Sequence, residues 1–177
     1  MNQIEGEICP VCFAKKLTLF EDKQSIPHFG DIYILSMSCA ECGFRKSDLD
    51  CEGEHEPMRW EFEVSSIDDL NVRVVRGSDA TIKFPEFKVN ITPGGIENGY
   101  VANIEKVLND LLEILESQKE GEESKAKKKK LRQMVDELLD VKEGKRKATL
   151  IIEDPGGISA IISDKAKKLP LKVKAKG

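Results

Sequence analysis

Two cysteine pairs, Cys9-Pro10-Val11-Cys12 and Cys39-Ala40-Glu41-Cys42, stand 26 residues apart. A Cys-x-x-Cys pair can occupy one tight turn that aims both sulfurs at a single ion, and two such turns complete a tetrahedral shell of four thiolates. Gly43, directly after the second pair, suits the same turn, because backbone amides must fold back toward the sulfurs there. A shell closed by four protein ligands leaves no position for water. The spacing therefore predicts one structural metal ion per chain, held by Cys9, Cys12, Cys39 and Cys42. Thiolates favour zinc, with iron the rarer occupant. A redox dithiol would account for one pair but not for two. Cys51, His28 and His55 have no paired spacing and are expected in ordinary core or surface positions.

Other catalytic signatures are missing from the sequence. It has no Gly-x-x-x-x-Gly-Lys-Ser/Thr phosphate loop and no Gly-x-Ser-x-Gly nucleophile elbow. Two histidines leave little scope for a Cys–His or Ser–His mechanism. Glu153 and Asp154 are adjacent, point apart in an extended chain, and read as turn residues. The expectation is a protein without enzymatic activity.

The elements that must position the cysteines are mostly strands. Lys16–Phe20 and Ile32–Met37 each flank a cysteine pair, and β-branched or aromatic residues crowd the second. Trp60 to Val64 alternates apolar and acidic residues, as a half-buried strand does. Asn71–Arg76, Ala80–Phe84, Phe87–Ile91, Ala148–Ile152 and Ile158–Ile162 read as further short strands, a pattern of sandwiches and barrels. Between them the period changes. Val101, Ile104, Val107, Leu108, Leu111, Leu112 and Leu115 step by three and four, and Leu131, Met134, Val135, Leu138 and Leu139 repeat the step. Ser117–Ser124 reads as a polar connector, so the pair forms a helical hairpin whose apolar stripes face each other.

The 177 residues carry a net charge of -4 that hides an asymmetry. Residues 1–124 hold 12 Lys and Arg against 25 Asp and Glu, a net of -13; residues 125–177 hold 16 against 7, a net of +9. The acidic part is a poor nucleic-acid platform, because phosphate contacts need cations. Lys125–Arg132 carries six positive charges, and the tail from Asp164 carries six lysines. These two runs support an alternative reading, a nucleic-acid-binding zinc ribbon in transcription or RNA processing. No run of about 18 apolar residues occurs. The Met1–Glu7 segment lacks the basic and apolar succession of a secretory signal. With an odd cysteine count, a reducing, cytoplasmic setting is expected.

Three ordered motifs accompany the cysteines. They are Ile26-Pro27-His28-Phe29-Gly30-Asp31-Ile32-Tyr33-Ile34-Leu35 running into Ser38-Cys39-Ala40-Glu41-Cys42-Gly43-Phe44-Arg45, then Arg73-Val74-Val75-Arg76-Gly77-Ser78 with Ile82-Lys83-Phe84-Pro85-Glu86-Phe87, and late in the chain Glu153-Asp154-Pro155-Gly156-Gly157-Ile158-Ser159. From about Cys9 to Ile162 the chain resembles the ZPR-type zinc-finger family, in the single-module form of its archaeal members. The resemblance implies a mostly β fold with an α insertion. A four-Cys zinc ribbon over 1–50 precedes a double-stranded β-helix, jelly-roll-like domain over 51–163. That domain carries the helical hairpin at 99–143, and a flexible basic tail follows over 164–177. It also implies a protein partner, translation elongation factor one-alpha, whose folding or assembly the chain would assist. The ribbon loop residues Ile26, Pro27, His28 and Phe29 are the expected partner contacts.

Overall fold

The computed structural model describes residues 2–26, 30–51, 55–93 and 99–172. A first antiparallel sheet contains β1 (Asn2–Glu7), β2 (Leu17–Ile26), β3 (Gly30–Cys39) and β4 (Arg45–Cys51), in chain order. Facing residues share a side of such a sheet. One side therefore carries Ile4, Leu19 and Met37 in a row, and the other carries Ile34 opposite Leu49 and Ile32 opposite Cys51. Ile32 and Leu49 are buried against Val75 and Ala160 of the second half of the chain.

That second half is a jelly roll. One sheet orders β12 (Lys167–Pro170), β5 (Met58–Val64), β10 (Ala148–Asp154), β7 (Thr81–Phe84) and β8 (Val89–Ile91). The other orders β11 (Ala160–Ile162), β6 (Arg73–Arg76) and β9 (Tyr100–Asn103). Strand β10 is the spine of the first. Its Ala148, Leu150 and Ile152 alternate inward, pairing with Val64, Phe62 and Trp60 on one side, and Ile152 meets Ile82 on the other. Helices α1 (Ile104–Gly121) and α2 (Lys125–Lys142) form the hairpin. Val107, Leu108, Leu111 and Leu115 of α1 and Val135, Leu138 and Val141 of α2 join Phe62, Phe84 and Leu150 in one continuous core.

The structure corrects several expectations. Val101 belongs to β9, opposite Val75, and not to the helical stripe; α1 begins only after Asn103, so the three-residue step from Val101 to Ile104 was a coincidence of spacing. The connector is only 122–124, because the polar residues from Ser117 continue α1 with their side chains toward water. Leu139 points outward at 40% exposure, and Val141 takes its place inside. Strands β1 and β4 were not expected at all. The basic tail is not uniformly loose: Lys167–Pro170 pairs with β5, and Lys168 lies over the Trp60 ring. Lysines on an edge strand keep that edge from pairing further. Residues 173–177 of the tail lie outside the described residues.

One buried carboxylate ties the turn after β5 to the end of the chain. Asp69 accepts hydrogen bonds from the Ser65 and Ser66 amides and the Ser65 hydroxyl, and Lys165 Nζ sits 2.9 Å away. Burial works to raise its pKa, but the Lys165 ammonium and these donors outweigh it and hold Asp69 at about 2, against an ordinary 3.8. A depressed folded-state pKa adds stability above the unfolded value, here about 2 kcal/mol, which is lost as pH falls through the folded one. The stability gap between the wild type and Asp69→Asn should therefore be full above about pH 4 and close toward pH 2, as read by urea melts at stepped pH. A gap that does not change with pH would place the effect in packing instead of charge.

Candidate metal centre

The two cysteine pairs sit on matching knuckles. In the first, the Phe13 amide donates to Cys9 O at 3.0 Å and the Cys9 amide to Ala14 O at 2.9 Å. In the second, Gly43 donates to Cys39 O at 3.1 Å and Cys39 to Phe44 O at 2.8 Å. The fifth position of each knuckle is left-handed, with φ of 61° at Phe13 and 72° at Gly43. Glycine takes this conformation freely, whereas Phe13 adopts it at a cost of about 1–2 kcal/mol. The strands supply the relative placement. Leu17 and Cys39 face each other across β2 and β3, and the Ala40 amide donates to Lys16 O. Cys9, Leu17 and Cys39 are buried together, with Leu19, Met37 and Phe44 packed around them.

The four sulfurs lie within 4.8 Å of one another. Cys9 Sγ is 3.7 Å from Cys42 Sγ, and Cys12 Sγ is 3.7 Å from Cys39 Sγ. A tetrahedron with zinc–sulfur bonds of about 2.3 Å has edges of about 3.8 Å, so the residues fit a zinc ion. The sulfur electrostatics agree. Burial opposes ionisation of Cys9, yet the Cys12 and Val11 amides lower its pKa to about 7. The Ala14 amide favours the Cys12 thiolate, but burial and the three neighbouring thiols push it up to about 12. Four thiolates this close repel one another, and a divalent cation removes that repulsion. Zinc bound here would serve as a cross-link between the two knuckles. Cys51 stands apart from the set, its Sγ 2.9 Å from His55 Nε2. Burial pushes its thiol up, and Asp50 and Asp154 add to the rise. Of the loop residues expected to contact a partner, Pro27, His28 and Phe29 lie outside the described residues; Ile26 ends β2, its side chain also outside them.

A second polar cluster surrounds Asp154, for which the sequence suggests only a turn. Asp154 is not a surface turn residue but is 1% exposed. Its Oδ2 accepts the Ser159 amide and hydroxyl at 2.7 and 2.6 Å, and its Oδ1 accepts the Gly156 amide at 2.8 Å. Ser159 Oγ in turn accepts the Gly77 amide at 2.9 Å. A Cβ on Gly77 would stand 2.9 Å from Asp154 Oδ2, so this approach needs glycine. The Arg73–Ser78 and Glu153–Ser159 motifs thus meet and brace each other across the jelly roll. All of the carboxylate's bonds are used internally, which makes the cluster structural.

A four-thiolate zinc ribbon packed on a jelly roll with a helical hairpin defines a modular zinc-finger protein. Residues 4–57 match the family model described as the ZPR1 zinc-finger domain, and residues 68–176 match the ZPR1 jelly-roll domain. The chain belongs to the ZPR1 family, as a single module. It is 39% identical over 165 residues to an uncharacterised ZPR1-like protein of Methanocaldococcus jannaschii, covering 93% of this chain and 83% of that one. It is 29% identical to the zinc finger protein ZPR1 of Homo sapiens, across 90% of this chain but 35% of the human protein. It is 27% identical to the zinc finger chaperone zpr1 of Schizosaccharomyces pombe, across 83% of this chain and 33% of that protein.

Proposed function

We propose that this chain is a non-enzymatic, cytoplasmic zinc-binding protein that binds translation elongation factor one-alpha and assists its folding or assembly. In this reading Cys9, Cys12, Cys39 and Cys42 hold one structural zinc, and the ribbon over 1–50 is the client-facing part of the chain. The β domain over 51–163 is its support. The observation that carries the reading is where the apolar surface lies. Among the described residues, eight large hydrophobic side chains are exposed, and five of them, Ile4, Ile8, Val11, Phe13 and Leu35, belong to the ribbon. Exposed apolar groups gathered on one small unit mark an interaction surface. Phe13 is 76% exposed on a strained knuckle, which nothing in the ribbon's own packing requires. The name of the fission-yeast relative, a chaperone, agrees.

The contact at Ile26, Pro27, His28 and Phe29 belongs to the same proposal. The test is a binding titration with purified elongation factor one-alpha, native and partly unfolded, in both nucleotide states. Binding is expected, and Phe29→Ala should weaken it with zinc content and melting curve unchanged. No binding to any form would overturn the assignment. Binding unchanged by Phe29→Ala would remove the loop from the interface. An RNA affinity that falls steeply with salt would favour the alternative, for which the exposed cations of 125–132 are the available site.

A further inference from the structure

The first sheet has two apolar faces; the protein covers one of them, and the other only at its metal end, where Leu19 and Met37 pack against Leu17 and Cys39. The inner face, with Ile32 and Leu49, is buried on Val75 and Ala160. The outer face carries the row Ile4, Leu19 and Met37, flanked by Leu35, over a groove of about 370 Å³. Ile4 is 56% exposed and Leu35 38%. The groove is bounded by β1, and β1 is an edge: it pairs with β2 alone among the described residues, and all six of its residues are exposed. An unpaired edge beside an apolar groove has the two parts of a strand-addition site, backbone groups for affinity and pockets for alternate side chains.

The charges decide what fits. Glu5 and Glu7 lie on the edge strand and Glu21 on its neighbour, and none of the three meets a cation among the described residues. A second copy of this chain would set one acidic edge against another, and a nucleic acid would meet the same repulsion. A register shift at Gly6, with φ of 80°, ends regular β1–β2 pairing after Glu5 and limits the open stretch to Asn2–Glu5. Along that stretch Ile4 faces the groove, while Gln3 and Glu5 face the other way, joined by a side-chain hydrogen bond.

We propose that the β1 edge and its groove form a strand-addition site for an extended segment of an incompletely folded client, one that alternates aliphatic residues with Lys or Arg. The aliphatic side chains pack beside Ile4 and extend outward the apolar row that Ile4, Leu19 and Met37 begin, with Leu35 at its flank. The cations turn to the other side, beside Glu5. This site rests on the reading of the chain as a folding assistant, and it gives that reading a mechanism: a folded client offers no free strand of this kind, so completing its fold releases it.

The test uses the full chain and a labelled peptide that alternates valine and lysine, with a valine–glutamate peptide as the control. The lysine peptide is expected to bind and the glutamate peptide to fail. Ile4→Lys should weaken the lysine peptide by about tenfold or more, because it places a charge in the groove. Glu5→Lys should weaken it about threefold and allow the glutamate peptide to bind. Zinc content and melting curves of both variants check that the fold survives, which exposure of both side chains favours. Equal binding of the two peptides by the wild type, or lysine-peptide binding unmoved by Ile4→Lys, would overturn the site. Running partly unfolded elongation factor alongside separates the two readings. Factor binding that Ile4→Lys leaves intact overturns this site and spares the proposed function. Peptide binding without factor binding spares this site and overturns the named client.

Discussion

Replacing Cys39 with serine is expected to release the zinc and unfold the metal-proximal end of the ribbon, while the jelly roll remains folded. Cys39 is 4% exposed, ends β3, and anchors the second knuckle through the Phe44 carbonyl. Around it the ribbon buries only Cys9 and Leu17, with Leu19, Met37 and Phe44 partly covered. So small a core contributes a few kcal/mol, whereas a structural zinc contributes an apparent binding energy of roughly 10–16 kcal/mol in finger peptides. Losing one thiolate removes most of that. The jelly-roll core is a separate cluster that contains no cysteine, so it has no reason to fail with the metal. Elemental analysis should find about one zinc in the wild type and nearly none in Cys39→Ser. Amide exchange should speed up across Cys9–Leu19 and Met37–Phe44 and stay slow at Phe62 and Leu150. Cys51→Ser should keep its metal, because Cys51 sits on His55 and outside the four-sulfur cluster. A full complement of zinc in Cys39→Ser would mean that the ligand set is wrong.

The zinc site was legible because each half of it is local. Four residues encode both the turn and the two ligands, and only the meeting of the halves needed tertiary structure. Strand β10 was legible because Leu150, Ile151 and Ile152 form a short apolar run, largely β-branched and closed by a Pro-Gly-Gly turn. The edges were not. Strands β1, β4 and β12 read Asn-Gln-Ile-Glu-Gly-Glu, Arg-Lys-Ser-Asp-Leu-Asp-Cys and Lys-Lys-Leu-Pro, and their membership depends on backbone pairing that side-chain pattern does not record. Val101 and Leu139 show the opposite failure. Both fall on the helical period, but one is claimed by pairing with β6 and the other is left outside as α2 turns its inner face to α1. Asp154 was misread because a buried carboxylate is rare. The only signal was its company, a Gly-Gly turn and a serine that later proved to be its partners.

Substituting Leu111 with aspartate tests the other half of the molecule and should leave the zinc alone. Leu111 is fully buried on α1, one turn from Val107 and Leu115, in the cluster that also holds Val135 and Leu138 of α2 and Phe84 of the sheet. Loss of a buried leucine costs about 2–5 kcal/mol, and forcing a carboxylate into the same space adds its desolvation. The expected total is about 5 kcal/mol, or about 10–20 °C in melting temperature for a chain of this size. Lys128→Glu on α2 is the comparison. Lys128 is exposed in a row of like charges at a helix N-terminus, where the helix dipole is also positive, so reversing its sign should shift stability by a few tenths of a kcal/mol, and upward. Both variants should keep one zinc, because Leu111 shares no contact cluster with Cys9 or Cys39. Zinc loss in Leu111→Asp would show that ribbon and jelly roll unfold as one unit through Ile32, Leu49, Val75 and Ala160. A similar fall in melting temperature for both variants would show instead that the hairpin turns a different face to the core.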